Sequence, residues 1–245
     1  MKRIFIAAAL LCCVSASFSQ NERSPFRRGY LRLGLNNLPG KIDHNLSPKQ
    51  NILASNYGSG TGFVLEMGKA YYFNRPQSED LIGYGLDWTV FSLTYNPLKK
   101  WGAYENDKGD AGATSDPLVA SLSTRLGPVV SFKPVEKLII DARVQLAVSA
   151  YHFNYEYAGS SEYLFLQNGY KDEDDSNALG IVTLGFKPSF GFSVRRGIIG
   201  LALDYAPGKT KMNYEEGTGN YEDGYTYNKA NISTSNLQLK LNLSF

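Results

Sequence analysis

The sequence predicts an all-β protein with eight antiparallel strands in up-and-down order. Two observations carry this prediction. Apolar and polar residues alternate with a period of two through most of the chain after its first 28 residues, and the connections between these segments are alternately long and short. A period of two is typical of a strand with one apolar face and one polar face. Strands joined in this way can close into a barrel, in which no edge is left unpaired.

The first segment is predicted to be a secretory signal peptide rather than part of the fold. Lys2 and Arg3 precede a short apolar run that ends in small residues, which is the layout of a cleavable address. We expect the signal peptide to occupy residues 1–19, with cleavage after Ala16 as the alternative. Residues 20–245 then form the barrel domain.

The composition of the remaining chain excludes several classes of protein. Both cysteines, Cys12 and Cys13, lie in the segment expected to be removed, so the mature chain has no disulfide and no cysteine metal site. A lipoprotein acylated on one of them is the alternative, but the preceding residues are not the small ones such a site usually has. Without Lys2 and Arg3 the balance is 23 basic against 23 acidic residues, which gives no basic field for nucleic acid.

The C-terminal segment shows the alternation most clearly, with apolar side chains at every second position from Leu237 to Phe245. The segment that begins at Leu138 repeats the pattern with charged residues on the polar face. Applied along the chain, the pattern predicts strands over residues 28–36, 60–73, 81–95, 118–131, 137–157, 178–194, 197–206 and 232–245.

The predicted connections fall into two groups. Four are long and polar, over residues 37–59, 96–117, 158–177 and 207–231. Three are short, near residues 74–80, 133–136 and 195–196. Four long loops at one end and three short turns at the other are typical of outer-membrane barrels, whose long loops are extracellular and whose short turns are periplasmic. Both chain ends fall on the short-turn side.

The side chains predict which face of the strands points outward. The polar face contains small residues such as Gly83, Gly85 and Gly191, which suit a narrow lumen, whereas the other face holds bulky Leu and Phe. Aromatic residues such as Tyr95 and Tyr205 lie near strand ends, as membrane interfaces favour. We therefore predict a transmembrane barrel with its apolar face toward lipid. The alternative is a soluble extracytoplasmic barrel or sandwich with its apolar face inside.

With its signal peptide, eight strands, loop pattern and closing Leu-Gln-Leu-Lys-Leu-Asn-Leu-Ser-Phe, the chain resembles the small outer-membrane β-barrel family. Its topology is OmpA/OmpX-like and similar to barrel-domain proteins of Bacteroidota. The resemblance covers essentially the whole mature chain. It implies that the barrel-assembly machinery reads the terminal strand, at Leu241, Leu243 and Phe245. It implies architecture rather than activity.

The polar face is expected to place nine charged side chains in the lumen: Arg32, Glu66, Asp87, Arg125, Asp141, Arg143, Lys187, Asp204 and Lys240. An eight-stranded barrel is barely wide enough for its own side chains. We therefore expect these charges to pair and to plug the lumen. A gated path for a solute or proton is the alternative.

No catalytic motif is present, and no cofactor is expected. The two histidines, His44 and His152, fall in no recognisable constellation, so we predict that the chain is not an enzyme. The acidic run at residues 172–175 lacks the spacing of a calcium loop. We expect it to be a solvated tip, which could bridge lipopolysaccharide through divalent ions.

Aromatic residues near the long loops are the candidate contacts for a surface protein or glycan. They are Tyr151, Phe153, Tyr155 and Tyr157, where the aromatic face of strand five exchanges parity, and Tyr221, Tyr225 and Tyr227, with Tyr214 nearby. The alternative is that they pack the extended loops against each other. The expected protein is a monomer in the outer membrane, in contact with the bilayer and lipopolysaccharide. Its role is structural or adhesive, with a narrow channel or transport accessory as the second reading and an enzyme at the loop rim as the third.

Overall fold

A computed structural model describes residues 24–107, 117–154, 156–158, 163–167, 183–217 and 225–245. Within this part of the chain, eight antiparallel strands close into a barrel. The prediction of an all-β, eight-stranded antiparallel barrel is confirmed. The expected signal peptide lies outside the described residues, so the division at residue 19 stays a prediction.

The structure contains twelve strands and two helices within the described ranges. In chain order they are β1 (Gly29–Asn37), α1 (Pro48–Leu53), β2 (Gly62–Tyr72), β3 (Ile82–Pro97), α2 (Lys99–Asp107), β4 (Leu118–Val135), β5 (Leu138–Asn154), β6 (Glu156–Ala158), β7 (Tyr163–Gln167), β8 (Thr183–Arg196), β9 (Ile199–Ala206), β10 (Lys209–Gly217), β11 (Tyr225–Ser233) and β12 (Asn236–Ser244).

Hairpin pairing between sequence neighbours builds most of the barrel, and the first and last strands close it. The order around the barrel is β1-β12-β9-β8-β5-β4-β3-β2. The closing pair aligns Leu33 with Leu241 and Leu35 with Leu239. The predicted strands lie within a few residues of the observed ones. The largest difference at the short turns is β4, which continues to Val135, because Val135 still pairs with Leu138 of the next strand.

The two ends of the barrel differ in their connections. At the end that we call the turn end, residues 73–81, 136–137 and 197–198 join neighbouring strands, and β1 starts and β12 finishes there. The opposite end, the loop end, carries α1, α2 and a second sheet in the order β11-β10-β7-β6. We call these six elements the loop cap.

The loop cap was not predicted, because its segments were interpreted as polar loops. Each had a local signal. Helix α1 begins with a capping box in which Ser47 and Gln50 bond to each other's backbone, with Pro48 in its first turn. In the cap sheet, Met212 and Ile232 are fully buried while their sequence neighbours are not. Gly, Asn and Tyr interrupt these short periodic stretches, so the sequence pattern did not indicate regular elements there.

The loop cap has an apolar core of its own. Ile52, Trp101, Phe153, Leu164 and Met212 are among its fully buried members, and they come from five different elements. Trp101 lies against Tyr104 with ring centroids 5.3 Å apart. The cap is therefore a packed unit rather than a set of independent loops.

A register shift interrupts the pairing of β2 and β3. Met67 pairs with Phe91 and Gly68 with Thr89, so Val90 of β3 is the extra residue. Because the extra residue lies in β3 rather than β2, Lys69 keeps the outward parity of its strand and is exposed. Its ammonium group lies 5.4 Å from the ring centre of Tyr71.

Neither helix in the described part of the chain is both long and apolar enough to cross a membrane.

Candidate functional site

The barrel has a charged interior and an apolar outer wall. On the wall, Phe186 is 68% exposed and Leu146 58% exposed, whereas in the lumen Glu66 is 0% and Lys240 1% exposed. A soluble barrel of the same alternation would bury the first pair and expose the second. The buried charged side chains of the lumen are therefore the first candidate functional groups.

Two carboxylates organise the centre of the lumen. Glu66 on β2 lies 2.7 Å from an Arg32 nitrogen and 2.7 Å from Lys240 Nζ, and it also pairs with Arg125. Asp204 on β9 lies 3.4 Å from Arg125 Nη1 and also forms an ion pair with Lys240. Because Arg125 and Lys240 each contact both carboxylates, the four side chains form one network across the barrel axis.

Arg143 connects this central network to the turn end. Its Nη2 donates to Asp204 at 2.8 Å, and its Nε lies 3.6 Å from Asp87. Asp87 also accepts from the Tyr30 hydroxyl at 3.2 Å and from Gln145 Nε2 at 3.1 Å. Each carboxylate therefore has several partners, as buried charge requires.

A second group lies around Asp141, nearer the turn end. Asp141 accepts from Ser131 Oγ at 2.6 Å and from Ser193 Oγ at 2.8 Å, and Arg195 Nε lies 3.5 Å away. Sequence reasoning missed Arg195 because it was assigned to a short turn. Its inward parity, two residues after Ser193, was the available signal.

Of the nine charges expected in the lumen, eight belong to the ion-paired set and Lys187 does not. Within the described residues Lys187 forms no ion pair. Its Nζ donates to the Thr234 carbonyl at 2.5 Å and lies 5.2 Å from the Tyr151 ring centre. The inward placement of Lys187 agrees with its burial, whereas its membership of the ion-pair network is corrected, because its ammonium group bonds to the Thr234 carbonyl at the loop end instead.

The chain before β1 crosses the turn end of the lumen. Ser24 Oγ donates to the Pro76 carbonyl at 2.9 Å, and Arg195 Nη1 donates to the Pro25 carbonyl at 2.9 Å. Phe26 is buried and meets Tyr72 edge to face, with ring centroids 5.9 Å apart. An aromatic side chain therefore fills this mouth below the charged network.

Two small cavities lie among the described lumen side chains. The cavity near Tyr30 and Arg143 leaves about 20 Å³ for the centres of water molecules, and the one near Arg125 and Lys187 leaves about 10 Å³. A water molecule needs roughly 10 to 15 Å³ by this measure. The first space is large enough for one or two waters and the second for one at most.

The structure corrects the interpretation of three candidate contact residues. Tyr151, Phe153 and Tyr157 are buried in the loop-cap core, so they are unavailable to an external partner. The inward positions of β5 hold aromatic residues at this end of the strand, because the cap above the lumen is apolar. These three residues fit the alternative prediction, in which they pack the extended loops against each other.

The remaining candidate contacts lie in or near the β10–β11 hairpin. Tyr227 is 55% exposed. Tyr214 is half-buried against the cap core. Tyr155 and Tyr221 lie outside the described residues, as does the side chain of Tyr225. Tyr227 is therefore the candidate contact whose side chain is described and exposed.

The candidate catalytic and metal-binding groups do not form a site in the described structure. His44 packs edge to face on Tyr104, with ring centroids 5.7 Å apart, and His152 lies half-buried on β5. Across the described ranges, no three His, Cys, Asp or Glu side chains gather as metal ligands would. The acidic run at residues 172–175 lies outside those ranges.

The C-terminal strand lies at the barrel seam. Leu241 is exposed on the outer wall, and Leu243 is half-exposed on the same face. Phe245 exchanges two backbone hydrogen bonds of 2.9 Å with Gly29 at the turn end. Recognition of these residues by assembly machinery stays a prediction.

Comparison of the sequence with protein-family models and with curated proteins found no match. What the structure itself shows is a closed eight-stranded antiparallel barrel.

Proposed function

We propose that the chain is an integral outer-membrane β-barrel with a closed lumen. The supporting observation is the wall of exposed Leu, Phe, Tyr and Val side chains around a charged interior. Exposed leucines at this density are unfavourable in water and favourable in hydrocarbon. The turn end would face the periplasm and the loop cap the exterior, as in other barrels with short turns at one end.

The experiment that tests membrane insertion is folding of the purified chain with and without lipid. We expect aggregation in buffer alone and a protease-resistant barrel in phosphatidylcholine vesicles. A monomer that stays soluble without detergent would overturn the proposal. Retention of the barrel by vesicles after a high-salt wash would support it, because salt removes proteins held only by charge.

The proposed closed lumen excludes ion conduction. Paired charges, the Phe26 side chain and spaces no larger than a few waters all oppose a continuous water path. We expect no steady current in planar bilayers. Steady current through the unmodified protein would favour the narrow-channel alternative.

The proposed role of the folded protein is structural or adhesive, through its loop cap. A packed cap presents its outer side chains at fixed positions, which lowers the entropy cost of binding. Tyr227 is the exposed aromatic candidate. The test is retention of protein-bearing vesicles on a panel of immobilised glycans and matrix proteins, with Tyr227→Ser as the matched variant. Retention lost in the variant supports adhesion, whereas no retention of either favours the structural role. A turnover activity against any of these ligands would instead support the loop-rim enzyme.

A further inference from the structure

The outer face of the strands β9 and β12 changes chemistry abruptly at the loop end. Within the barrel this face presents Leu201, Leu203 and Tyr205 on β9, and leucines on β12. On these two strands, Tyr205 pairs with Leu237 at the last apolar level. Beyond this level the chain continues into β10 and β11 with the same outward parity, but the side chains are polar and basic.

Three exposed lysines lie on that continuation: Lys209, Lys211 and Lys229. Lys209 and Lys211 are alternate residues of β10, and Lys229 of β11 pairs with Asn213, the next outward position. Alternate residues of a strand are roughly 7 Å apart, so the three side chains lie within about 14 Å along two adjacent strands. We call them the lysine face.

The lysine face has an unbalanced positive charge in the described structure. None of the three lysines forms an ion pair with a described residue, whereas Lys49 of the cap pairs with Glu216. Glu215, which follows Asn213 by two residues on β10, is buried. The face therefore offers three ammonium groups to a ligand outside the chain.

We propose that the lysine face binds the phosphate groups of anionic lipids in the leaflet at the loop end. This inference rests on the proposed membrane position. Tyr205 and Leu237 end the apolar face of β9 and β12, and tyrosine favours the headgroup level. Lysine ammonium groups bind phosphate as compact charges and gain affinity near an anionic surface. In the proposed position, lipid phosphates lie at the level where this face becomes basic. Their negative charge balances the three ammonium groups.

The test compares lipid selectivity of two variants that lose the same charge. The first replaces Lys209, Lys211 and Lys229 with glutamine. The control replaces Lys41, Lys99 and Lys100, three exposed lysines of the loop end outside this face, with glutamine. Each protein is folded into phosphatidylcholine vesicles with spin-labelled phosphatidic acid, and association of the labelled lipid is measured relative to spin-labelled phosphatidylcholine.

We expect the unmodified protein to prefer phosphatidic acid and the lysine-face variant to lose that preference by at least about tenfold, since each lysine near an anionic surface contributes. The control should keep it, and replacement of the three lysines by arginine should also keep it. Equal loss in both glutamine variants would overturn the proposal, as would an unchanged preference in the lysine-face variant.

Three further outcomes separate the possible failures. If the unmodified protein fails to insert into phosphatidylcholine vesicles, the proposed membrane function is wrong. If it inserts but shows no lipid preference, only the lysine face is wrong. Loss of lipid preference in millimolar inorganic phosphate, at constant ionic strength, would show a site for free phosphate and would overturn the lipid assignment.

Discussion

The barrel and the loop cap have opposite cores. The barrel buries Glu66, Asp204 and Lys240 and exposes leucine, whereas the cap buries Trp101 and Leu164 and exposes lysine. The exchange occurs within single strands, since the inward face of β5 changes from charged and polar residues to aromatic ones as it enters the cap. Alternation therefore specifies a strand, while the face that is buried depends on what lies on each side of it.

The largest expected effect comes from removing charge at the centre of the lumen. Glu66→Gln leaves Arg32, Arg125 and Lys240 around a neutral side chain, so we expect the free energy of unfolding to fall by about 3 to 5 kcal/mol. Urea unfolding of the vesicle-folded protein measures this. The control is Glu136→Gln, which removes an exposed carboxylate 3.6 Å from Lys137 and should change little. Equal effects of the two variants would mean that the lumen network does not hold the barrel.

Truncation of the cap core should act on the cap alone. Leu164→Ala empties part of a fully buried site, and we expect a loss of about 2 to 5 kcal/mol in cap stability. The two tryptophans report the two regions, because Trp101 lies in the cap and Trp88 on the barrel wall. In single-tryptophan variants the Trp101 transition should shift to lower denaturant while the Trp88 transition stays unchanged. A shared shift would show that cap and barrel unfold as one unit.

The same substitution at two equally exposed positions tests what the wall faces. Leu146 is 58% exposed and Tyr227 55% exposed. Leu146→Lys should cost about 2 to 4 kcal/mol in a bilayer, because it places charge in hydrocarbon near the middle of β5. Tyr227→Lys should stay within about 0.5 kcal/mol, as for an ordinary surface position. If Leu146→Lys also proved neutral in vesicles, the wall would not be in contact with lipid.

The smallest effect is a pH dependence confined to the cap. Burial raises the pKa of Tyr57, whose hydroxyl donates to the Ser233 carbonyl. A raised folded-state pKa means that the stabilisation is complete below the unfolded value of about 10 and is lost as pH rises above it. We expect the free energy of unfolding of the cap, reported by Trp101, to fall by about 1 kcal/mol per pH unit above pH 10. The Trp101 transition then moves to lower denaturant. Tyr57→Phe should be less stable at neutral pH, because it lacks the hydrogen bond, and should show a smaller alkaline slope. An identical slope in both proteins would assign the effect to other groups.

The strands and most lumen positions could be predicted because they depend on parity alone. Glu66 and Asp204 were placed inward by counting from neighbouring leucines, and the structure buries both. The partners could not be predicted from parity. Lys240 meets Glu66 across 174 positions of sequence, and its reach depends on the register of β1 with β2 and of β1 with β12. A one-residue change of register would replace these partners.

The environment of the cap aromatic residues stayed open at the level of sequence for a related reason. Tyr151 and Phe153 show an exchange of parity in the sequence, but the sequence does not state what lies opposite them. Their neighbours in space, such as Leu98 and Leu164, come from segments interpreted as loops. Without that long-range packing, an exposed aromatic row and a buried one look the same.

Alternating strands with long connections at one end and short ones at the other follow directly from the sequence, because both properties are local. The pairing of each cation with its carboxylate, the register shift at Val90 and the folding of the long connections into an apolar cap emerge only in the folded barrel. Each of these depends on contacts between residues far apart in the chain, whose geometry is fixed only when the barrel closes.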